Sequence, residues 1–220
     1  MIGLLLLALL LMGLSAEVRA AEVEGSVTIK SALKKKAVGR RHRAGYGKPT
    51  GEYQTQDGAT RSDETLNVVV YLVGAKGKGE GKFPPARMQQ KGRQFAPYVL
   101  PVRVGTAVEF PNQDIIYHGV YSDSPAKKFE LPEYAMGESR SVTFDRPGVV
   151  ELFCAIHTHM NAYILVLENG YFAVPDAQHR FRISGVPPGR YVLKTWHPRL
   201  EETSRVIEVK AEGAQVQLTL

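Results

Sequence analysis

Apolar residues in the second half of the chain occur in short runs that turn residues interrupt at close intervals, as is typical of β-strands. Gly148 to Phe153 and Asn161 to Leu167 are two such runs, and Asn169-Gly170 is one of the turn signals. After position 21, no stretch shows the apolar period of a convincing amphipathic helix. Turns at this spacing favour a sandwich or barrel, so the sequence predicts an all-β fold with two β modules.

The N-terminal residues differ from the rest of the chain. Ile2 to Leu14 are almost wholly apolar, and this run is shorter than the roughly 20 residues that span a bilayer. Val18 and Ala20 follow at the positions that a signal peptidase reads, although no Lys or Arg precedes the run. Residues 1–20 are therefore predicted to be a signal peptide for export to the periplasm. The alternative is an uncleaved membrane anchor.

Composition excludes several classes of protein. The hydrophobic fraction of 44% and the charged fraction of 23% are ordinary for a globular chain, which excludes general disorder and a multi-span membrane protein. The single cysteine excludes an internal disulfide and any four-cysteine zinc or iron–sulfur site. In an oxidising compartment, a lone cysteine is expected to be reactive, paired between chains or bound to a metal.

The formal net charge is +6, and a basic run extends from Lys34 to Arg43. Such a run can steer an acidic redox partner or contact anionic lipid, and salt weakens both effects. The alternative is a solvated basic loop without a partner. An exported chain is not expected to bind nucleic acid, and no small-molecule substrate is evident.

Three residues with soft or nitrogen donors lie within one short segment: Cys154, His157 and Met160. The flanking runs predict strands, so the three side chains lie on a tight loop where they can converge on one point. Thiolate, imidazole and a weak thioether suit a mononuclear copper site, which needs a second imidazole, and His118 is the candidate. Taken singly, the cysteine is typical of a small buried hydrophobe and the methionine of a gap-filler. Their joint occurrence favours a metal site.

The segment from about Phe95 to Val166 resembles a cupredoxin, the blue (type 1) copper fold. The Cys-x-x-His-x-x-Met spacing resembles the short ligand loop of amicyanin. Phe110-Pro111-Asn112-Gln113-Asp114 and the flanking positions resemble the methylamine utilisation type of cupredoxin-like protein. The resemblance implies a Greek-key sandwich at residues 76–169 and a copper site. It implies that His118, Cys154 and His157 are equatorial copper ligands. It implies that Met160 is the axial ligand.

Two residues depart from that resemblance. Blue copper proteins commonly carry Asn directly after the first ligand histidine, where its side chain ties the two ligand loops together, and this chain has Gly119. The shell around the ligands is therefore expected to be weakened or rebuilt, which would alter the reduction potential. His159 is an additional imidazole that can compete with Met160, and we expect it to face solvent.

The last fifty residues resemble the carboxypeptidase regulatory-like (transthyretin-like) β-sandwich, in which a Pro-Gly turn reverses the chain and a tyrosine packs back on the sheet. The motif runs from Phe181 through Pro187-Pro188-Gly189 and Tyr191 to Trp196. The resemblance implies that residues 21–75 and 170–220 form one sandwich, split around residues 76–169. The plain alternative is one extended β-domain with a C-terminal appendage. His197 is expected to pack structurally rather than approach the copper.

These features predict an exported one-electron carrier with copper as its cofactor, an unidentified redox protein as its partner and no enzymatic activity. A trinuclear copper oxidase needs several His-x-His pairs, and this chain has one, His157 and His159. Two alternatives stay open. One is copper binding for delivery or storage without electron transfer, and the other is a binding module whose metal only stabilises the fold.

Overall fold

The computed structural model of the protein describes residues 21–33, 63–77 and 85–220. Strands make up most of these residues, and their one helical element is a 3-10 turn at Glu64–Asn67. The predicted all-β fold is confirmed. In the part of the chain that is described, no helix has the length and apolar character to cross a bilayer. The predicted signal peptide and the run from Lys34 to Arg43 lie outside the described residues.

The described ranges contain seventeen strands. In chain order they are β1 (Ala21–Thr28), β2 (Val69–Val73), β3 (Ala86–Arg87), β4 (Gln89–Gln90), β5 (Phe95–Ala96), β6 (Val99–Arg103), β7 (Thr106–Pro111), β8 (His118–Ser124), β9 (Lys127–Tyr134), β10 (Ser139–Phe144), β11 (Gly148–Cys154), β12 (Asn161–Leu167), β13 (Phe172–Ala173), β14 (Arg180–Val186), β15 (Gly189–Trp196), β16 (Thr203–Val209) and β17 (Ala214–Thr219).

Strands β3 and β6 to β12 form one sandwich, which we call the site sandwich. Its five-stranded sheet has the order β6-β12-β11-β8-β9, and its three-stranded sheet has the order β10-β7-β3. Phe110 and Phe144 of the smaller sheet share one apolar core with Val120 and Leu152 of the larger sheet. Burying these side chains on both inner faces stabilises the pair of sheets, because apolar surface is removed from water.

Strands β1, β2 and β13 to β17 form a second sandwich, which we call the flanking sandwich. One sheet has the order β14-β1-β17, and the other has the order β13-β2-β15-β16. Strand β1 pairs antiparallel with β14 and parallel with β17, so it lies between two strands from the end of the chain. At the turn between β14 and β15, the Tyr191 hydroxyl donates to the Pro187 carbonyl at 2.9 Å.

The nearly continuous apolar run from Leu66 to Val73 predicts one buried strand, and this prediction is wrong at its beginning. Residues Glu64–Asn67 form the 3-10 turn, and β2 begins only at Val69. Asp63 precedes this turn, and its carboxylate accepts a hydrogen bond from Thr65 N–H at 3.0 Å, which favours a helical start over a strand. Leu66 is 41% exposed, so its apolar side chain does not mark a core position.

Candidate metal centre

Two neighbouring strands bring the predicted ligands to one end of the site sandwich. His118 is the first residue of β8, and Cys154 is the last residue of β11. The strands are antiparallel with Cys154 opposite Val120, so the start of one lies beside the end of the other. His157 and Met160 lie on the loop that joins β11 to β12. The sheet register therefore brings together residues that are 36 positions apart.

The donor atoms of three of these residues form a compact triangle. Cys154 Sγ lies 3.6 Å from His118 Nδ1 and 3.7 Å from His157 Nδ1, and the two ring nitrogens are 3.2 Å apart. The point equidistant from the three atoms is about 2.0 Å from each, close to metal bond lengths for imidazole nitrogen (about 2.0 Å) and thiolate sulfur (about 2.3 Å). These three residues form a group that could hold a metal ion.

Burial differs among the three residues. His118 and Cys154 are buried, whereas His157 is half-buried and lies nearest to solvent. Burial, together with the electrostatic effect of the neighbouring His118, His159 and Arg93 side chains, holds the pKa of His157 below its ordinary value, despite the opposing charge of Asp114. The neutral ring is therefore favoured, and it is the form that binds a metal.

The Asp114 carboxylate fixes the orientation of the His118 ring. Its Oδ2 atom lies 2.9 Å from His118 Nε2, so the ring can donate from Nε2 and leave Nδ1 free to accept a metal. The backbone N–H groups of Gly92 and Arg93 donate to the same carboxylate at 2.6 and 2.8 Å. Burial raises the pKa of Asp114, but these bonds and the His118 ring outweigh it, and the pKa falls below its ordinary value. Asp114 is thus a charged partner of His118.

Asn112 shapes the segment between β7 and β8. It is buried, and its side-chain amide donates to the Ile116 and Tyr134 carbonyls, both at 2.9 Å. Its carbonyl oxygen accepts from Asp114 N–H at 2.9 Å. Sequence reasoning gave no role to Asn112 or Asp114, although both belong to the motif quoted for the resemblance. The adjacent Pro111-Asn112 pair was the available signal for a turn here, because an asparagine side chain often bonds to the backbone two residues later.

Met160 is buried and closes the loop that carries His157. Its N–H donates to the His157 carbonyl at 2.9 Å, and its carbonyl accepts from Cys154 N–H at 3.2 Å. Its side chain lies in the same apolar cluster as Cys154. His159 is exposed, as expected, and its ring centroid lies 6.0 Å from that of His157.

The backbone at Gly119 ties the two ligand-bearing segments together. Ala155 N–H donates to the Gly119 carbonyl at 3.2 Å, beside a register shift between β8 and β9 at His118 and Val120. A Cβ atom at position 119 would lie 3.0 Å from the Leu131 carbonyl oxygen and 3.3 Å from the Ala155 side chain. Glycine therefore permits the close approach of the strands, and a backbone bond links segments that an asparagine side chain was expected to link.

Apolar side chains are exposed at the same end of the sandwich. Ile115 is 87% exposed, and Tyr117 and Ile156 are also exposed. These residues flank the ligand segments in sequence, and the Arg93 charge lies within electrostatic reach of His157. The half-buried ligand histidine is therefore accompanied by exposed apolar surface and a cation.

His197 belongs to the flanking sandwich and not to the triangle of donor atoms. It is buried, with its Nε2 atom 3.3 Å from Glu64 Oε2. Arg199 N–H donates to its Nδ1 atom at 3.1 Å. These contacts join the end of β15 to the 3-10 turn.

Several solved structures are similar to part of this chain. A copper-containing nitrite reductase from Thermus scotoductus SA-01 is 33% identical over 44% of this chain and 25% of its own, with a TM-score of 0.38. A purple cupredoxin from Nitrosopumilus maritimus is 22% identical over 37% of this chain and 99% of its own, with a TM-score of 0.34. A reduced amicyanin variant is 17% identical over 44% of this chain and 98% of its own, with a TM-score of 0.37.

These neighbours are cupredoxins at low identity and partial coverage, and this chain spans about a quarter of the nitrite reductase chain. No family model and no curated protein matches this chain. The methylamine utilisation type and the regulatory-like module stay predictions.

Proposed function

We propose that this protein binds one copper ion through Cys154, His118 and His157, with Met160 as a weak fourth ligand, and passes single electrons. The observation that carries the proposal is the triangle of one sulfur and two imidazole nitrogens with a common distance of about 2.0 Å. A trigonal His₂Cys set with a long axial thioether suits copper electron transfer. A bound copper ion would supply a reversible Cu(I)/Cu(II) couple.

The protein's contribution is to hold the donor atoms in place. His118 is fixed by Asp114, and the loop that carries His157 is closed by Met160 backbone bonds. Cys154 is buried at a strand end, where water is excluded from its sulfur atom. Ligands held by two paired strands need little rearrangement when the charge of the metal changes, which favours fast transfer.

We also propose that electrons enter and leave at His157 and that a redox protein docks there. The exposed side chains of Ile115, Tyr117 and Ile156 offer apolar contact, and Arg93 offers a charge for an acidic partner. The basic run from Lys34 to Arg43 is a second docking candidate. Export through residues 1–20 to the periplasm belongs to the same proposal, and N-terminal sequencing of the protein from periplasm would test it.

Visible and electron paramagnetic resonance spectra after addition of Cu(II), beside those of Cys154→Ser, test the metal centre. We expect an intense thiolate-to-copper band and narrow copper hyperfine splitting, both absent in the variant. A pale spectrum with wide splitting would contradict the proposal and favour copper delivery or storage. Preferential retention of zinc over copper would favour a metal that only stabilises the fold.

A further inference from the structure

Strand β12 is buried on both faces, because it lies between the core of the site sandwich and the flanking sandwich. Ala162, Ile164 and Val166 point into the site core. The alternate residues belong to a second apolar cluster, which we call the junction cluster. Its members come from both sandwiches and are Val69, Tyr71, Tyr98, Val99, Tyr163, Leu165, Leu167, Phe172 and Trp196.

Aromatic contacts run across this junction. The Tyr163 ring lies 5.7 Å from the ring of Trp196 in β15, and the Tyr98 ring meets Tyr163 edge-on at 5.6 Å. The charges of Glu64 and Arg199 in the flanking sandwich also act on the Tyr98 hydroxyl, whose pKa is raised mainly by burial. Tyr98 therefore packs and interacts electrostatically with both sandwiches.

Tyr98 also contacts the residue that follows the last predicted ligand. The Asn161 side chain lies close enough to the Tyr98 hydroxyl to oppose the effect of burial on its pKa. Tyr98 is also fixed to β12 through its carbonyl, which accepts a hydrogen bond from Tyr163 N–H at 2.9 Å. Asn161 is the first residue of β12 and comes directly after Met160, whose backbone closes the loop with bonds to Cys154 and His157. A displacement of Asn161 would thus move the end of the ligand loop.

We propose that the flanking sandwich is a positioning element of the metal centre, acting on Met160 through Trp196, Tyr163 and the contact between Tyr98 and Asn161. The inference rests on the proposed function for the role of Met160 as a ligand. The strength of a long axial thioether bond depends on where the sulfur is held, and this bond tunes the potential. Tyr98 is a positioning residue, because it acts on the site through Asn161.

The test compares Tyr98→Phe with Tyr71→Phe, a matched control in the same junction cluster. Each variant loses one hydroxyl, but the Tyr71 hydroxyl donates to Glu202 at 2.9 Å, whereas the Tyr98 hydroxyl lies beside Asn161. In metal-free full-length protein, we expect amide hydrogen exchange in residues 154–160 to become about tenfold faster in Tyr98→Phe and to stay unchanged in Tyr71→Phe, since local opening governs exchange. In copper-loaded protein, Tyr98→Phe should shift the reduction potential and the visible spectrum, and Tyr71→Phe should not.

Trp196→Phe tests the part played by the flanking sandwich. We expect faster exchange in the same amides, since the contact with Tyr163 is reduced. Unchanged exchange in Tyr98→Phe or in Trp196→Phe, or an equal change in Tyr71→Phe, overturns the inference. If wild-type protein forms no blue copper site while the exchange pattern holds, the proposed function fails and the positioning role of the junction stands. If the blue site forms and the variants leave both exchange and potential unchanged, the positioning role alone fails.

Discussion

At the residue scale, the Asp114 carboxylate determines which nitrogen of His118 faces the other donor atoms. A neutral imidazole carries one N–H. The carboxylate oxygen Oδ2 lies 2.9 Å from Nε2, so it favours the form with the hydrogen on Nε2. The Nδ1 lone pair is then free on the side of Cys154. The site thus includes a group that would not itself touch the metal.

Replacing Asp114 by Asn should weaken metal binding about 10- to 100-fold, because a neutral amide orients the ring less strongly than a carboxylate. Titration with Cu(I) against a competing chelator measures the change. Asp123→Asn is the matched control, since Asp123 lies on β8, the strand of His118, but pairs with Lys128 at 3.3 Å, outside the site. Equal affinities for wild type and Asp114→Asn would show that the carboxylate does not set the orientation of His118.

At the element scale, buried hydrogen bonds connect β4, β7 and β9 behind the site. The Tyr134 hydroxyl donates to the Phe110 carbonyl at 2.6 Å and accepts a bond from the Gln90 side chain. Gln90 is fully buried, and its Oε1 atom has no hydrogen-bond partner within the described residues. Burial raises the pKa of Tyr134 to about 12, so the hydroxyl keeps its proton.

Tyr134→Phe should lower the free energy of unfolding by about 1–3 kcal/mol, because it removes a buried hydrogen bond to the Phe110 carbonyl and takes away the hydroxyl partner of the buried Gln90 amide. Urea denaturation of the metal-free protein measures the loss. Adding Gln90→Met should recover part of it, since the orphaned amide is removed together with its unsatisfied oxygen. Tyr117→Phe serves as the control. Because Tyr117 is exposed, this substitution should change the free energy of unfolding little. A double variant no more stable than Tyr134→Phe would argue against this explanation.

The contact between the end of β15 and the 3-10 turn should make stability depend on pH. Burial holds the pKa of His197 below its ordinary value of 6.5, although Glu64 partly opposes this effect. The unfolded chain therefore binds a proton at higher pH than the folded chain. The stabilisation is present above about pH 6.5 and is lost as pH falls toward the lower folded pKa.

Unfolding free energies of wild type and His197→Asn between pH 8 and pH 5 measure this contribution. Asparagine keeps an acceptor near the position of Nδ1 but does not titrate, so the difference between the two proteins should shrink or reverse below pH 6.5. His157 also has a lowered pKa, and its contribution is common to both proteins. Parallel pH profiles would refute a titrating role for His197.

The elements that the sequence predicted best are those whose signals are local. The predicted runs Gly148 to Phe153 and Asn161 to Leu167 agree with β11 and β12 within one residue. The bond from Arg93 N–H to Asp114 spans 21 positions and depends on two residues with positive φ, at 63° for Gly92 and 57° for Arg93. No apolar period encodes such a contact. The 3-10 turn after Asp63 was missed because Leu66 extends the apolar run that follows, whereas the capping carboxylate is a single polar residue ahead of that run.

At the scale of the whole molecule, the path of the chain links the two sandwiches. Strand β1 pairs with β14 and β17, and β2 pairs with β13 and β15, so strands that precede the site sandwich complete sheets with strands that follow it. Val23 and Val27 share a core with Ile183 and Leu218. These contacts support the proposal that residues 21–75 and 170–220 are one module split around the site sandwich.

A cut of the chain between β2 and β3 should therefore not separate the two resulting pieces. We propose to place a specific protease site between Gly77 and Pro85, outside the described residues, and to cleave the purified protein. The N-terminal piece carries β1 and β2, which are hydrogen-bonded on both sides by strands of the C-terminal piece. The two pieces should co-elute in gel filtration without denaturant, separate in urea, and retain copper binding while together. Separation in native buffer would favour the alternative of one extended β-domain with an appendage, because the N-terminal strands would then lack a stable place in the second sandwich.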